Sequence, residues 1–516
     1  MKRLILLIIM VLFNTVIHSQ GISDALRYSQ DNLNGTARFS AMSGAFGALG
    51  GDLSSLNINP AGSAIFSNNQ MAVTLSNNST KNNSNYFGTK SEDSNNSFDL
   101  NQAGGVFIFK TQNPKNDWKK IAFAINYDKT NNYDNSVFSR GENPNNSLAD
   151  YFLYYANPNI DINQGGFYLD NVKNSYYEEF NFQDQQAYLG ITGNVIQPNL
   201  IVDDNDSYSS NSVGGNYYQE NSIESSGYNG KISFNASTAY KDKLMIGINF
   251  NSHFTDFRQS TKFFEKNENN NANGIQNATF YNDLYTYGSG FSFQLGTIYK
   301  ATKELRLGFS YESPTWYILN DQLNQKLYTK GLNFINYNIN GIDNYPIING
   351  QSNTSSDSDM TILYAPYKIQ APSKWTGSLA YIFGKIGLLS IDYAVKDYSN
   401  TKFKPENEFS NTNTSMANLL NQSGEFRIGG EYKINQWSLR AGYRFEQSPY
   451  KDKNTMGDLT GYSSGIGYNF GATKLDLSYA STQRDSNQLF FNKGFSKGAD
   501  INTTTNNITA TLLFEL

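Results

Sequence analysis

Arg427, Arg440 and Arg444, together with one histidine, are the side chains of this 516-residue sequence whose chemistry could act on a small molecule. In EFRIGGEYKI and WSLRAGYRFE a two-residue period puts Arg427, Glu431 and Lys433 on one strand face, and Arg440, Arg444 and Glu446 on the matching face of the next strand. A guanidinium is always charged and its planar fork matches a carboxylate, so Arg440 or Arg444 could receive the acid head of an amphipathic ligand. The same arginines, with Asp392, Lys396, Lys474 and Asp476 on neighbouring strands, could instead form structural ladders of opposite sign, which is the default reading. Histidine chemistry would have to use His253, because His18 falls in the leader; Asp256 follows it by three residues. A satisfied or solvent-facing histidine is the default there too. No metal-ligand spacing or phosphate loop occurs, so neither a metal nor a cofactor is expected.

A second group of residues is set apart by composition. GAFGALGGDLSSLNINPAGSAIF, Gly44 to Phe66, is small and almost uncharged in a chain otherwise crowded with Asn, Tyr and Phe. Gly44, Gly47, Gly50 and Gly51 permit close backbone approach and positive φ. Asn59 can cap a short helix through Ala64, with Pro60 in its first turn and Ala61 and Gly62 following. Upstream, ISDALRYSQDNL predicts another short helix, with Asp24 in its first turn and Asn34-Gly35 ending it. Residues 20–69 lack strand alternation and read as a plug squeezed into a confined space; a flexible leader is the alternative.

These groups need a scaffold, and the chain supplies strands. Lys2 and Arg3 precede an apolar run from Leu4 to Ile17, too short for a membrane helix, so residues 1–19 read as a secretory signal peptide. The absence of cysteine excludes disulfides and a lipidated cysteine. A mean hydropathy of -0.54 suits a soluble protein, yet 36 Tyr and 35 Phe with only 16% charged residues suit strands with aromatic girdles. The net charge of -5 gives no basic surface for nucleic acid.

Period-two runs recur to the end of the chain. Leu244, Ile246, Ile248 and Phe250 oppose Gly247, Asn249 and Asn251; ITATLLFEL aligns Ile508, Ala510, Leu512 and Phe514. About fourteen strands result, and their connections alternate between tight turns such as Lys241-Asp242 and Asn435-Gln436 and long, Asn-rich segments near 78–100, 129–228 and 484–504. Short turns on one side and long loops on the other are the habit of outer-membrane barrels. The Asn-rich tracts are expected to be solvated loops. Within 129–228, Leu148, Phe152 and Tyr155 have helical spacing and predict a short amphipathic helix over the mouth.

At this point the sequence resembles a family. GAFGALGGDLSSLNINPAG, with Asn59, Pro60 and Ala61 at its core and Asp52, Ser54 and Ser55 before them, is similar to the N-terminal hatch signature of FadL/TodX outer-membrane transporters for hydrophobic compounds. The resemblance implies fourteen strands, a hatch inside the barrel, ligand entry among the outer loops, and sideways exit at a kink in the third strand. IAFAINYD, Ile121 to Asp128, has no Gly or Pro to mark such a kink.

The expectation is therefore all-β: a monomeric outer-membrane barrel of about fourteen antiparallel strands over residues 70–516, with a partly helical plug at 20–69. It would sit among outer-membrane lipid and lipopolysaccharide of a Gram-negative bacterium and pass long-chain fatty acids or aromatic hydrocarbons. A general porin, an adhesin built on the outer loops and a barrel hydrolase are the alternatives. Arg440, Arg444 and Arg427 are the candidate ligand-binding residues.

Overall fold

The computed structural model describes residues 21–516 apart from 114, 159–164, 213, 270–273 and parts of 333–360; the expected leader lies outside the described residues. Fourteen strands form the wall. They are β1 (Gln70–Tyr86), β2 (Thr89–Lys110), β3 (Trp118–Asn132), β4 (Tyr217–Tyr240), β5 (Leu244–Asn267), β6 (Gly274–Lys300) and β7 (Leu305–Glu312). The second half comprises β8 (Lys374–Phe383), β9 (Gly387–Asp397), β10 (Gln422–Ile434), β11 (Trp437–Glu446), β12 (Met456–Asn469), β13 (Thr473–Gln488) and β14 (Ala499–Glu515). Each pairs antiparallel with the next, and β14 closes on β1 from Gln70↔Glu515 upward, leaving no free edge. The strand number and the all-antiparallel barrel match the expectation from alternation.

The apolar members of each alternating run point out. Met71, Val73, Leu75, Phe123, Ile125, Phe250, Leu295, Phe309, Leu439, Leu477 and Leu512 are all exposed. A continuous belt of large apolar side chains is stable only against lipid.

The strands are far longer than the roughly 9–11 residues a bilayer needs. β5 runs for 24 residues and β6 for 27, so the wall continues well above the membrane. Here the expectation of solvated loops fails. NNSTKNNSNY lies in β1, and residues 89–100 lie in β2, joined by a turn at Phe87-Gly88. Above the bilayer both faces of a strand meet polar surroundings, so these segments have no apolar face to alternate, yet their backbones still pair.

A cap covers the mouth. Before it, the N-terminal segment forms α1 (Ile22–Arg27) and α2 (Ala37–Ala41); in the cap lie α3 (Leu148–Ala156), α4 (Leu169–Asn174) and α5 (Phe182–Thr192). Ser147 caps α3, and Leu148, Phe152 and Tyr155 are buried on one face, as the spacing predicts. They pack with Phe263, Phe280, Leu327, Phe490 and Phe491 into a core drawn from strands and loops on opposite sides of the barrel. Glu265 ties α3 to the wall: its carboxylate accepts from Ser147 Oγ (2.6 Å), Leu148 N (2.8 Å) and Gln219 Nε2 (2.7 Å). Burial, with some help from Asp150, raises its pKa to about 7. A carboxyl whose folded pKa is raised stabilises the docked cap fully below its unfolded pKa and loses that contribution as pH climbs through the folded value. Amide protection in α3, corrected for intrinsic exchange, should thus fall between about pH 4.5 and 7 and level off above; E265Q should flatten the curve, and pH-independent protection in the native chain would contradict this account.

Candidate functional site

Residues 21–69 lie inside the barrel, where nearly all of 33–66 is buried. α1 is shorter than its sequence suggests. It stops at Arg27, which pairs with Asp24 (2.6 Å), and Asn34-Gly35 lies beyond it. The following chain is drawn off by the wall: Asn32 N donates to Thr130 O (2.9 Å) and Asn131 Oδ1 (2.9 Å) on β3, while Asn101 Nδ2 on β2 donates to Gly35 O (3.0 Å). The strap 30–35 thus bridges a seam. β2 pairs with β3 only from Gln102↔Asp128 down, whereas β2 continues upward on β1 alone. Ile121–Asp128 is regularly paired on both sides; irregularities flank it, where β3 shifts register on β4 between Trp118 and Lys120 and again between Lys129 and Asn131.

Beyond the strap, Thr36 caps α2, and its hydroxyl also donates to Asp52 (2.8 Å); Asp52 in turn accepts from Ser54 N (2.9 Å). Gly44, Gly50 and Gly51 have φ of +76°, +59° and +67°, which a side chain would strain. Gly47 and Gly62 have ordinary φ but no room, since a Cβ would collide with Ser378 and Ser55. Asn59 caps a 3-10 turn, Pro60–Ile65, through Ala61 N (3.1 Å), and its Nδ2 donates to Gly47 O (2.7 Å) and Thr297 O (2.9 Å). One asparagine thereby joins two parts of the plug to β6.

The wall is shaped to this segment. Asn235 donates to Pro60 O (2.9 Å), Asn249 to Leu56 O (2.8 Å), Gln294 to Ile58 O (3.0 Å) and Ser310 also to Ile58 O (2.6 Å). Plug carbonyls that would be buried unpaired are answered by amides and a hydroxyl of β4–β7. Between these donors stand glycines. A Cβ on Gly247 would lie 2.6 Å from Ala61 N, and one on Gly442 2.6 Å from Met42 C; Gly429 and Gly465 are equally close to Met42 and Ala41. These wall residues were visible in the sequence only as a polar or tiny strand face. Their docking role depends on partners 175 or more residues away.

The three arginines divide. Arg440 lies in a ladder, its Nε 2.7 Å from Glu431 and its Nη1 2.5 Å from Asp476, with Arg38 of α2 also on Glu431 (2.9 Å). That is the structural role, and it fastens the plug. Arg427 and Arg444 face each other across β10 and β11, and Lys374 faces Lys396 across β8 and β9. Like charges directly opposite destabilise a sheet. Arg427 pairs with Glu425, Arg444 with Glu446 and Lys396 with Asp31 of the strap (3.5 Å). A cavity of about 60 Å³ is lined by Lys374, Lys396, Arg427, Arg444 and Arg484 and by Asp31, Glu425 and Glu446, five cations against three carboxylates. It adjoins a chamber of about 290 Å³ with which it shares Asn32, Arg444, Leu459 and Arg484. Asp392 accepts from Phe46 N (2.9 Å) and Gly47 N (3.0 Å), so it serves the plug. Lys374, Glu425 and Arg484 escaped the sequence reading.

His253 is buried, with Nε2 2.8 Å from Ser292 Oγ and Nδ1 3.5 Å from Tyr317 OH. Its ring nitrogens meet hydroxyls, where a hydrolytic triad would place a carboxylate. Among the described residues, no group of His, Asp and Glu could hold a metal ion.

Residues 200–513, three-fifths of the chain, match the family model described as outer membrane protein transport protein (OMPP1/FadL/TodX). The chain belongs to this family. It is a FadL/TodX-type barrel of the outer membrane, and the match covers β4–β14 while leaving the plug, β1–β3 and the cap helices α3–α5 outside. A solved FadL homologue from Pseudomonas aeruginosa is similar at 14% identity, with 94% of this chain and 99% of that one covered and a TM-score of 0.51, which supports the fold. The Pseudomonas putida toluene transporter TodX is similar at 12% identity, with 95% and 100% covered and a TM-score of 0.49. No curated protein matches by sequence.

Proposed function

We propose that this FadL/TodX-type barrel admits amphipathic small molecules with an acidic head and an apolar body, long-chain fatty acids being the nearest fit. Arg427 and Arg444 would meet the head outside the plug, Arg440 would hold the plug, and residues 44–62 would rearrange to let cargo by. The observation that carries this reading is the pair of like-charge contacts, Arg427 opposite Arg444 and Lys374 opposite Lys396, beside the strap. A purely structural ladder would alternate sign, as Glu431 and Arg440 do. An anionic ligand would balance the excess. The family's cargo class, hydrophobic compounds, supplies the other half of the molecule. The barrel works as a monomer among outer-membrane lipid and lipopolysaccharide, with no cofactor and no catalytic step.

Binding to the purified barrel tests the head-group assignment. Oleate should bind about tenfold or more tightly than its neutral methyl ester, as expected for one charge-assisted contact. Equal affinities would remove Arg427 and Arg444 from the site.

A further inference from the structure

Aromatic rings on the outside of the wall mark where the membrane ends on the short-turn side, which in an outer-membrane barrel faces the periplasm. Trp118 of β3 and Tyr240 of β4 meet edge to face, 5.1 Å between ring centroids, and Tyr240, Leu244 and Tyr299 stand in register on β4, β5 and β6. Amphipathic rings of this kind settle at the level of the lipid headgroups. A cation directly follows each of them in the chain: Lys119 after Trp118, Lys241 after Tyr240 and Lys300 after Tyr299.

The three turns below these rings are basic. Residues 110–120, between β2 and β3, hold four lysines and Asp117; residues 241–243 are Lys241, Asp242 and Lys243; residues 300–306 carry Lys300, Lys303, Glu304 and Arg306. Nine cations against three carboxylates leave a surplus of six positive charges, in a chain whose net charge is -5. The turns form one arc, because Lys241 N donates to Asp117 O (2.8 Å) and Lys300 N to Lys243 O (2.8 Å). The remaining short turns, 384–386, 435–436 and 471–472, contribute only Lys385. The excess therefore belongs to the β2–β7 flank and is not a general property of the rim.

Strand register concentrates it further. Lys110 lies directly opposite Lys120, and Lys300 directly opposite Arg306, placements in which like charges repel. Lys120 Nζ donates to a plug carbonyl, Phe66 O (2.5 Å), and Arg306 Nη1 to another, Leu49 O (2.8 Å), while Arg306 Nε is buried without a partner. Of the exposed lysines Lys115, Lys241, Lys243 and Lys303, only Lys241 has a carboxylate in reach among the described residues, Asp117 at 3.5 Å. Unbalanced cations at headgroup level suit an anionic membrane surface, where each lysine adds about fivefold to binding.

We propose that this arc binds an anionic phospholipid of the inner leaflet, phosphatidylglycerol in type. The phosphate lies among Lys241, Lys243 and Lys303, and the acyl chains run up the outer wall past the exposed Ile246 and Leu295. A lipid fits better than an acidic protein, because the cations start one residue after the girdle and the turns are too short to project beyond the headgroups.

The test uses the purified barrel in dodecyl maltoside and native mass spectrometry with equimolar phosphatidylglycerol and phosphatidylcholine of identical acyl chains. The native protein should retain phosphatidylglycerol about tenfold or more over phosphatidylcholine, a preference that shrinks as salt is raised. K241Q/K243Q/K303Q, shown to be folded by heat-modifiable mobility, should bring the two lipids within about twofold of each other. K81Q/K262Q/K266Q, which removes the same charge from exposed positions at the far end of the outer wall, should keep the native ratio. Equal retention of the two lipids by the native protein, an undiminished ratio in K241Q/K243Q/K303Q, or an equal loss in the outer-wall variant overturns the proposal. A poly-glutamate peptide that binds the arc when phosphatidylglycerol does not would assign the surface to an acidic protein and overturns it as well.

Discussion

Valine in place of Gly247 should give a barrel that inserts and folds but leaks. Gly247 faces inward on β5 against Pro60 and Ala61, with no space for a Cβ. Valine favours a strand more than glycine does, so the wall itself gains. The clash falls entirely on the plug, whose Pro60–Ile65 turn must move away. Overpacking of this kind typically costs about 1–3 kcal/mol, enough to reduce the docked population roughly 5- to 150-fold. In a planar bilayer the native protein should be nearly silent and G247V should show a steady ohmic conductance. A silent G247V barrel, correctly folded by heat-modifiable mobility, would mean that the plug does not depend on this contact.

The second large effect concerns the arginines. R427A/R444A should lose oleate uptake while R440A, at equal barrel abundance, should keep head-group recognition and disturb the plug. Each lost charge-assisted contact to a carboxylate is worth about 1.5–3 kcal/mol, so uptake at limiting oleate should drop at least tenfold in the double variant. R440A leaves Glu431 with Arg38 but frees Asp476, and its signature should be increased leak. Normal uptake by R427A/R444A would return both residues to a structural role.

What the sequence made legible follows from where one face of an element differs chemically from the other. Ile246, Ile248 and Phe250 against Gly247, Asn249 and Asn251 read as wall because lipid lies on one side only. The same strand above the bilayer, and the Asn-rich arms of β1 and β2, meet polar surroundings on both sides, so nothing in them separated strand from loop. Leu148, Phe152 and Tyr155 were readable because α3 buries a single stripe. α1 was overextended because its end is set by a tertiary contact, Asn32 to β3, rather than by a local cap. The division of labour between Arg440 and the facing Arg427 and Arg444 depends on strand register and on Arg38 in the plug. Period-two alternation places all three on inner faces, and goes no further.

The central claim is passage of an amphipathic molecule through a plugged barrel, and uptake tests it most directly. Cells lacking their own fatty-acid transporter would express the native chain or N59A/P60A, which removes the Asn59 bonds to Gly47 within the plug and to Thr297 on β6. The account predicts labelled oleate uptake above empty cells with the native chain, and an altered rate with the variant at equal amounts of folded barrel. Background uptake from a correctly inserted native barrel would contradict it.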